Sequence, residues 1–586
     1  MLNAAALNMK TTTAPQRELL SGDEAVARGA WEAGLKVAAS YPGTPATEIL
    51  EALALYSEVD AQWSVNEKVA FEVAYGAALG GARSLMACKH VGLNVAMDPL
   101  MTAAYTGINA GLVVVVADDP GLHSSQNEQD TRWVSRYAKL PLVEPADPAE
   151  AREYVQAAFE ISEQFDTPVL LRLTTRVAHS KQDVAVGERA VRPNRPFQRD
   201  AAKYVMVPAH AAARHRAVED RLVRLRAFAE KTPLNRVELR DRALGFVTAG
   251  VAYLYIRETF PEASVLKLGF SYPFCDQKIR DFARLVNELV VVEELDPFLE
   301  DHLRGLGLTF KARHPSFQLG ELRPEHLPAI VRGEAKPAKP FPARRPVLCS
   351  GCAHRAVFSV LRDLQLTVTG DIGCYTLGAA PPLASVHTCL CMGAGFTVHE
   401  GLRRALPGDR RIVGVMGDST FIHSGITGLI NAVYNRMPGV LLILDNATTA
   451  MTGAQPHPAT GRTLRDEPTR TLVLEDLCRA CGAEHVDVVD AKDTAALKQL
   501  LQQRLEERAL TVIIARSPCW QLVRTKAGAP EFKPELCQAC YECLEIDCPA
   551  ISKSEDGLIK IDIARCTGCN LCVERCAYEA LIPRRA

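Results

Sequence analysis

The sequence predicts an α/β protein with two large doubly wound domains, a smaller α/β domain between them and a cysteine-rich C-terminal domain. Three observations predict it. Apolar runs of strand length alternate with helical patterns over both large regions, which is the signature of a parallel sheet covered on both faces. A proline-rich stretch, Ala335 to Pro346, separates those regions. Eight of the 18 cysteines crowd between Cys537 and Cys576. The 586 residues also exceed a single core, since domains run roughly 100–200 residues.

In chain order, residues 1–190 carry a helical pattern from Gly22 to Gly34, a strand at Val37–Ser40 and the turn Tyr41-Pro-Gly-Thr-Pro45. A second helix pattern from Lys68 to Leu79 and the strand Leu112 to Ala117 follow, so this segment reads as one doubly wound domain. Residues 191–240 are basic and poor in strand signals, and read as a linker running into an exposed amphipathic helix with a solvated basic face. Residues 241–334, with strands at Ala243 to Gly250 and Glu288 to Glu293, form the smaller α/β domain. Residues 335–346 are the connector, 347–527 the second large domain and 528–586 the cysteine-rich tail.

The formal net charge of −2 offers no broad basic field for nucleic acid or an anionic membrane. Apolar runs such as Val440 to Leu444 fall far short of the ~20 residues that cross a bilayer. The N-terminal segment lacks the apolar core of a secretion signal, so a cytoplasmic location is expected. In a reducing compartment, clustered thiols more often hold metal than form disulfides.

The tail reads Cys537-x2-Cys540-x2-Cys543-x4-Cys548, then Cys566-x2-Cys569-x2-Cys572-x3-Cys576. This is the spacing of two-cluster bacterial ferredoxins, in which three close cysteines and one distant cysteine hold each [4Fe–4S] cube. It assigns Cys537, Cys540, Cys543 and Cys576 to one cluster, and Cys548, Cys566, Cys569 and Cys572 to the other. Two departures are the x4 spacing before Cys548 and Ala577 after Cys576, where proline often stands. Paired structural zinc sites are the competing reading, because zinc also takes four thiolates.

A second pattern joins an apolar strand ending in Gly417-Asp418-Ser419 to another ending in Asp445-Asn446-x-Thr448. A carboxylate and a carboxamide at neighbouring strand ends can share a hard divalent cation and a diphosphate. Ordinary strand-end turns are the bland alternative. The pattern resembles the thiamine-diphosphate signature, which would place Mg2+ on Asp418, Asn446 and the Thr448 carbonyl. Ser419 replaces the usual third glycine.

Further segments extend the likeness: Tyr41-Pro-Gly-Thr-Pro45, Asn66-Glu-Lys-Val-Ala70, Cys88-Lys-His-Val-Gly-Leu-Asn94 and Asp118-Asp-Pro-Gly-Leu-His-Ser-Ser-Gln-Asn127. Cys349-Ser-Gly-Cys-Ala-His354, Gly370-Asp-Ile-Gly-Cys374 and Thr449-Ala-Met-Thr-Gly453 follow in order. Together they resemble the alpha subunit of the indolepyruvate ferredoxin oxidoreductases, in the 2-oxoacid:ferredoxin oxidoreductase superfamily, over nearly the whole chain.

That resemblance implies thiamine-diphosphate-type folds for both large domains, 1–190 binding the pyrimidine and 347–527 the diphosphate. It also implies a transketolase C-terminal-like domain at 241–334 and a ferredoxin-like tail. Glu67 falls at the position of the cofactor-activating glutamate, whose carboxyl binds N1′ of the aminopyrimidine. Thr44 would lie near the substrate carboxylate, with Lys89 and His90 facing the site. Gly43, Gly373, Tyr375, Met392, Gly417, Ser419 and Met451 would line the cofactor.

Cys349, Cys352, Cys374 and Cys519 resemble the holders of a third [4Fe–4S] cluster nearest thiamine, against the alternative of buried unliganded thiols. For His123, His354 and His387 a neutral structural role is expected. The implied activity is oxidative decarboxylation of aryl pyruvates to aryl-acetyl-CoA, with electrons leaving to ferredoxin. The implied partners are a beta subunit, ferredoxin, coenzyme A and the aryl pyruvate. Another 2-oxoacid, non-oxidative decarboxylation and a pure electron-transfer subunit stay open as alternatives. No phosphate loop or dinucleotide fingerprint is present, so nicotinamide is not an expected acceptor.

Overall fold

The computed structural model describes residues 16–337, 346–524 and 527–584. It divides into two compact units, 1–339 and 340–586. The N-terminal stretch used for the signal-peptide reading, and positions 338–345 of the connector, lie outside the described residues.

In the first unit a seven-stranded sheet runs Phe270–Tyr272, Leu142–Val143, Val169–Thr174, Leu112–Asp118, Ser84–Lys89, Val37–Ser40, Asp60–Trp63. All neighbours are parallel except the first pair. Every residue of Leu112–Asp118 is buried, which is why that strand reads as an unbroken apolar run rather than an alternating one. A second sheet joins Glu288–Val292, Asp241–Ala249, Ala263–Leu268 and Asn235–Glu238, the last antiparallel.

Two expectations change here. The supposed linker over 191–240 ends in the strand Asn235–Glu238, whose single apolar residue, Val237, gave no strand signal. Its helix, Pro208–Lys231, is not merely solvated. It buries Val218, Leu222, Leu225 and Ala229. The buried Arg221 guanidinium donates to the carbonyls of Ala104 at 2.5 Å and Asp166 at 2.9 Å. The smaller α/β region is also not self-contained, because its Phe270–Tyr272 strand closes the edge of the large sheet.

A buried ionic chain ties these two sheets together. Arg132 grips Asp130 through two guanidinium nitrogens and reaches Glu293 at 2.5 Å, while donating to the Glu294 carbonyl at 2.6 Å. Arg172 pairs with Asp118 at 2.6 Å and Glu144 at 2.7 Å. Arg313 pairs with Glu300 at 3.0 Å. Each charge has a partner of opposite sign, without which its burial would be prohibitive.

Asp23 is different. It is fully buried, and its one close polar partner among the described residues is another carboxyl, that of Glu48. One oxygen lies within 4.8 Å of ligand atoms of Glu48 and His179. Burial first, and the Glu48 carboxylate second, hold the Asp23 carboxyl well above the usual carboxylate range. A retained proton accounts for the close pair. A pKa raised by folding contributes stability at acid pH and loses it as pH rises through the folded value. Asp23→Asn, which keeps a donor and removes the ionisation, should therefore raise stability at pH 7–8 on the order of 1 kcal/mol. Denaturant midpoints from pH 5 to 8 check this, and a loss of stability at pH 8 would contradict it.

The second unit carries a five-stranded parallel sheet in the order Thr367–Thr369, Ile412–Gly417, Gly439–Asp445, Leu510–Arg516, His485–Asp490. The tail adds two small antiparallel pairs, Glu531–Phe532 with Leu581–Ile582 and Ile551–Lys553 with Ile559–Ile561. Its apolar cluster contains only Cys543, Ile551, Ile559 and Leu581 fully buried, with cysteines packed around them. Ile546 and Leu571 of the tail form a second small cluster with Ala356 of the helix His354–Asp363.

Candidate functional site

In the first unit, Val37–Ser40 is flanked by Asp60–Trp63 on one side and Ser84–Lys89 on the other. The direction of winding reverses there, and ligands of open α/β sheets bind outside the carboxyl ends at such a reversal. The loop with Gly43 and Thr44 leaves one of these strand ends, and Lys89 and His90 leave the other. A Cβ on Gly43 would sit 3.3 Å from that of Lys89, so the two loops touch. Ser124 joins them: its hydroxyl donates to the Thr44 carbonyl at 3.2 Å. The Lys89 ammonium donates to the Ser124 carbonyl at 2.6 Å and hydroxyl at 3.0 Å.

Asp119 fixes Ser124 in turn, accepting from its backbone N–H at 2.8 Å and from Ser125 at 2.6 Å. Burial pushes the Lys89 ammonium down to about 8, with Asp119 opposing. His90 is buried, with Nε2 3.2 Å from the Asn127 carbonyl. Glu67 opens the helix Glu67–Leu79, capped by the Asn66 side chain accepting from Val69 N–H at 2.9 Å. That position leaves its carboxylate by the positive end of the helix dipole. The side chain is 7% exposed and lies against Gly92, where any Cβ would run into the carboxylate.

In the second unit, Asp418 follows Ile412–Gly417 and is buried. Its carboxylate accepts from the N–H of Ser419 and of Ala447, each at 2.8 Å, and lies 3.2 Å from His457 Nε2. Asn446 Oδ1 accepts from Thr448 N–H at 3.2 Å, and Ser419 and Thr449 hydroxyls meet at 2.8 Å. Asp445 pairs with Arg516 at 2.6 Å and also adjoins the Asp418 carboxyl, so carboxylate and carboxamide oxygens gather at these two strand ends. Hard oxygen ligands of this kind suit Mg2+.

Tyr375 explains two of the glycines. Its ring occupies the space that a side chain at Gly373 or Gly417 would need, while its hydroxyl donates to the Ile372 carbonyl at 2.7 Å. A π-turn at Phe421–Gly425 follows Asp418; such turns recur at functional sites. Its Ser424 hydroxyl donates to the Met392 carbonyl at 2.8 Å. Met451 is 47% exposed, in the turn Ala450–Thr452.

Three cysteine groups lie in this unit. Cys537, Cys540, Cys543 and Cys576 line one small cavity. Cys548, Cys566, Cys569 and Cys572 line another. These are the crossed-over sets expected from the spacing. Both CxxCxxC turns also repeat one backbone pattern, with positive φ at Ala539 and Tyr541 in the first and at Gly568 and Asn570 in the second. Alternation of this kind turns backbone N–H groups inward as an anion nest, a feature of many iron–sulfur sites.

Among the described residues no cysteine trio brings its sulfurs within 4.8 Å of one another. A single tetrahedral zinc needs sulfurs about 3.8 Å apart, whereas a cube holds them at separated corners. Two sets of four thiols on paired anion nests are compatible with cubes. Cys349, Cys352, Cys374 and Cys519 form the third group: Cys374 interacts electrostatically with Cys349 and Cys519, and Cys352 with Cys374 and Cys349. Cys519 N–H donates to the Asn446 carbonyl at 2.9 Å, so this group adjoins the Asp418 site.

The chain matches the family model "Pyruvate flavodoxin/ferredoxin oxidoreductase, thiamine diP-bdg" over residues 28–228. It matches "Thiamine pyrophosphate enzyme, C-terminal TPP binding domain" over 371–515. It is 38% identical to the indolepyruvate oxidoreductase subunit IorA of Archaeoglobus fulgidus, covering 97% of this chain and 98% of that one. With the same subunit from Methanothermobacter marburgensis the identity is 40%, with 97% of each covered. The chain belongs to the indolepyruvate oxidoreductase IorA family. A solved 2-oxoglutarate:ferredoxin oxidoreductase from Magnetococcus marinus is similar at 16% identity and a TM-score of 0.46, over 54% of this chain and 65% of that one. IorA-family membership makes this chain an oxidoreductase subunit with thiamine-diphosphate-binding α/β domains.

In this IorA-family chain, the expected residues fall into one group per unit. Gly43, Thr44, Glu67, Lys89 and His90 gather in the first; Gly373, Tyr375, Gly417, Asp418, Ser419, Asn446 and Thr448 gather in the second. His354 is buried and pushed down to about 4 by burial, and His387 Nδ1 accepts from Val368 N–H at 3.0 Å. Both suit neutral, structural roles. His123 is exposed.

Sequence reasoning missed His457, which carries no local motif, and Asp371. Asp371 is fully buried and accepts from the N–H groups of Ile372, Gly393 and Gly395 at 2.7–2.9 Å. Burial nevertheless lifts its carboxyl to about 6. It lies in the Gly370-to-Cys374 segment, and its place directly after a strand-end glycine was the available signal. Among the described residues no helix is long and apolar enough to cross a membrane.

Proposed function

We propose that this chain is the thiamine-diphosphate- and iron–sulfur-carrying subunit of an enzyme that oxidatively decarboxylates an aryl 2-oxoacid. The balance is 2-oxoacid and coenzyme A giving acyl-CoA, CO2, one proton and two electrons, which leave singly to a ferredoxin. The observation that carries this reading is the junction at Cys519, where the strand-end oxygen donors of a Mg2+-diphosphate site meet a cysteine group that itself adjoins the tail. A thiamine site without redox chemistry would need no such path.

Bound thiamine diphosphate would supply the electron sink for carbon–carbon cleavage, and the cubes would supply one-electron carriers. Asp418, Asn446 and Thr448 would hold Mg2+ and with it the diphosphate, and the glycines at 373 and 417 let the Tyr375 ring pack beside that site. Glu67 would bind N1′ of the aminopyrimidine and favour the tautomer that takes up the C2 proton. The Lys89 ammonium, kept in place by Ser124, would face the substrate carboxylate. The cysteine sets 349/352/374/519, 548/566/569/572 and 537/540/543/576 would hold three clusters in that order outward, since Cys572 interacts with Cys543 of the outermost set. The aryl class is taken from the relatives' names, as is the need for a second, beta subunit.

Anaerobically purified complex of this chain with its partner subunit should bind about twelve irons per chain, four for each cube. It should reduce viologen only with both a 2-oxoacid and coenzyme A, and turn over indolepyruvate and phenylpyruvate faster than pyruvate or 2-oxoglutarate. About eight irons would remove the third cluster. Decarboxylation without dye reduction would overturn the redox reading.

A further inference from the structure

We propose that Arg355 is a positioning residue that fixes two cysteine sets against each other and sets the reduction potential of the clusters they would hold. This rests on the cluster reading above. Arg355 is fully buried at the start of the helix His354–Asp363. Its Nε donates to the Cys349 carbonyl at 3.1 Å, and one terminal nitrogen donates to the Leu348 carbonyl. The other donates to the carbonyls of Ile546, at 3.0 Å, and Asp547. One fork thus binds the turn that begins the 349/352/374/519 set and the turn that ends at Cys548.

The same contact is reinforced by packing. Ala356 clusters with Ile546 and Leu571 against Cys548, Cys569 and Cys572, and a side chain at Gly351 would run into Thr567.

A cation at a helix N-terminus opposes the helix dipole, and burial makes it costlier. Among the described residues its ion pair is with the Asp547 carboxylate, 3.5 Å away. The charge makes sense if its main counter-charges are thiolates and the anionic cubes they carry. A positive charge beside a cluster favours the form with one more electron, so it raises the potential. The 537/540/543/576 set has no such contact with Arg355; its neighbouring cation is Arg575, which is paired with Asp363 at 2.7 Å.

The test is a potentiometric titration of the full complex followed by electron paramagnetic resonance. Arg355→Gln, which keeps a donor and removes the charge, should lower the potential of two of three clusters. The expected size is at least a tenfold change in their oxidised-to-reduced ratio at fixed potential, about 59 mV for one electron. The third cluster should not move. Arg355→Lys should restore most of the shift. Asp547→Asn, which removes the partial counter-charge without opening the turn, should move the same two clusters upward.

Full iron content with unchanged potentials in Arg355→Gln, or an equal shift of all three clusters, overturns the proposal. If Arg355→Gln fails to assemble, Asp547→Asn decides: no upward shift, or one shared by the third cluster, overturns it. Wild-type complex without iron would instead sink the cluster reading itself.

Discussion

Glu67→Gln should lower 2-oxoacid-dependent viologen reduction by about 10²–10⁴-fold, the range for loss of a positioned acid–base group. The amide keeps the size and the place at the head of the Glu67–Leu79 helix, so folding should be unaffected. Because it cannot exchange a proton, only the carboxylate's work is removed. Iron content and bound thiamine should stay near wild type, which separates a catalytic defect from a binding one. Gly92→Ala is the companion variant. Gly92 lies in a short helix where alanine is well tolerated, yet its methyl would displace the Glu67 carboxylate. It should lower turnover as well, since misplacing a reacting group by about 1 Å can cost 10²-fold. Turnover at wild-type rate in Glu67→Gln would remove Glu67 from the chemistry and leave the chain as an electron carrier.

The second large effect is on stability. Arg132→Ala should destabilise the first unit by about 3–5 kcal/mol, because Asp130 and Glu293 stay buried with only the more distant Arg172, at 3.9 Å, and Arg313, at 3.7 Å, to balance them. Arg132 is 1% exposed in its side chain and Asp130 fully buried, so water cannot take over. The surface pair Arg17–Asp183, with side chains 52% and 61% exposed, is the internal control: Arg17→Ala should cost no more than about 1 kcal/mol. Thermal unfolding and limited proteolysis of the two variants check the contrast. Equal stabilities would show that the ionic chain joining the two sheets adds nothing. Because Asp118 of that chain directly precedes Asp119, which holds Ser124 against Lys89 and Thr44, loosening it should also weaken activity at temperatures below unfolding.

Several structural features were legible because their signal is local. Val37–Ser40 and Leu112–Asp118 stand where apolar runs of strand length placed them. A buried parallel strand must be apolar on both faces, which no solvated segment imitates. Asn235–Glu238 escaped because an edge strand needs only one paired side and little apolar character. Phe270–Tyr272 escaped because three residues carry no period, and its pairing with Leu142–Val143 is decided by packing alone.

The sites divide in the same way. The amino-acid order by itself grouped the tail cysteines into two sets, since a tight CxxCxxC turn brings three of them within seven positions and the doubled pattern implies the exchanged fourth. It likewise determined that Asp418 and Asn446 close adjacent strands. Only the tertiary structure decided that Cys519 meets Asn446, that His457 reaches Asp418, that Gly92 makes room for Glu67 and that Arg355 binds Ile546 across 191 residues. Those contacts depend on how layers stack once each element has formed. A hydrogen bond between distant segments leaves no periodicity behind, so nothing short of the packed fold reveals it.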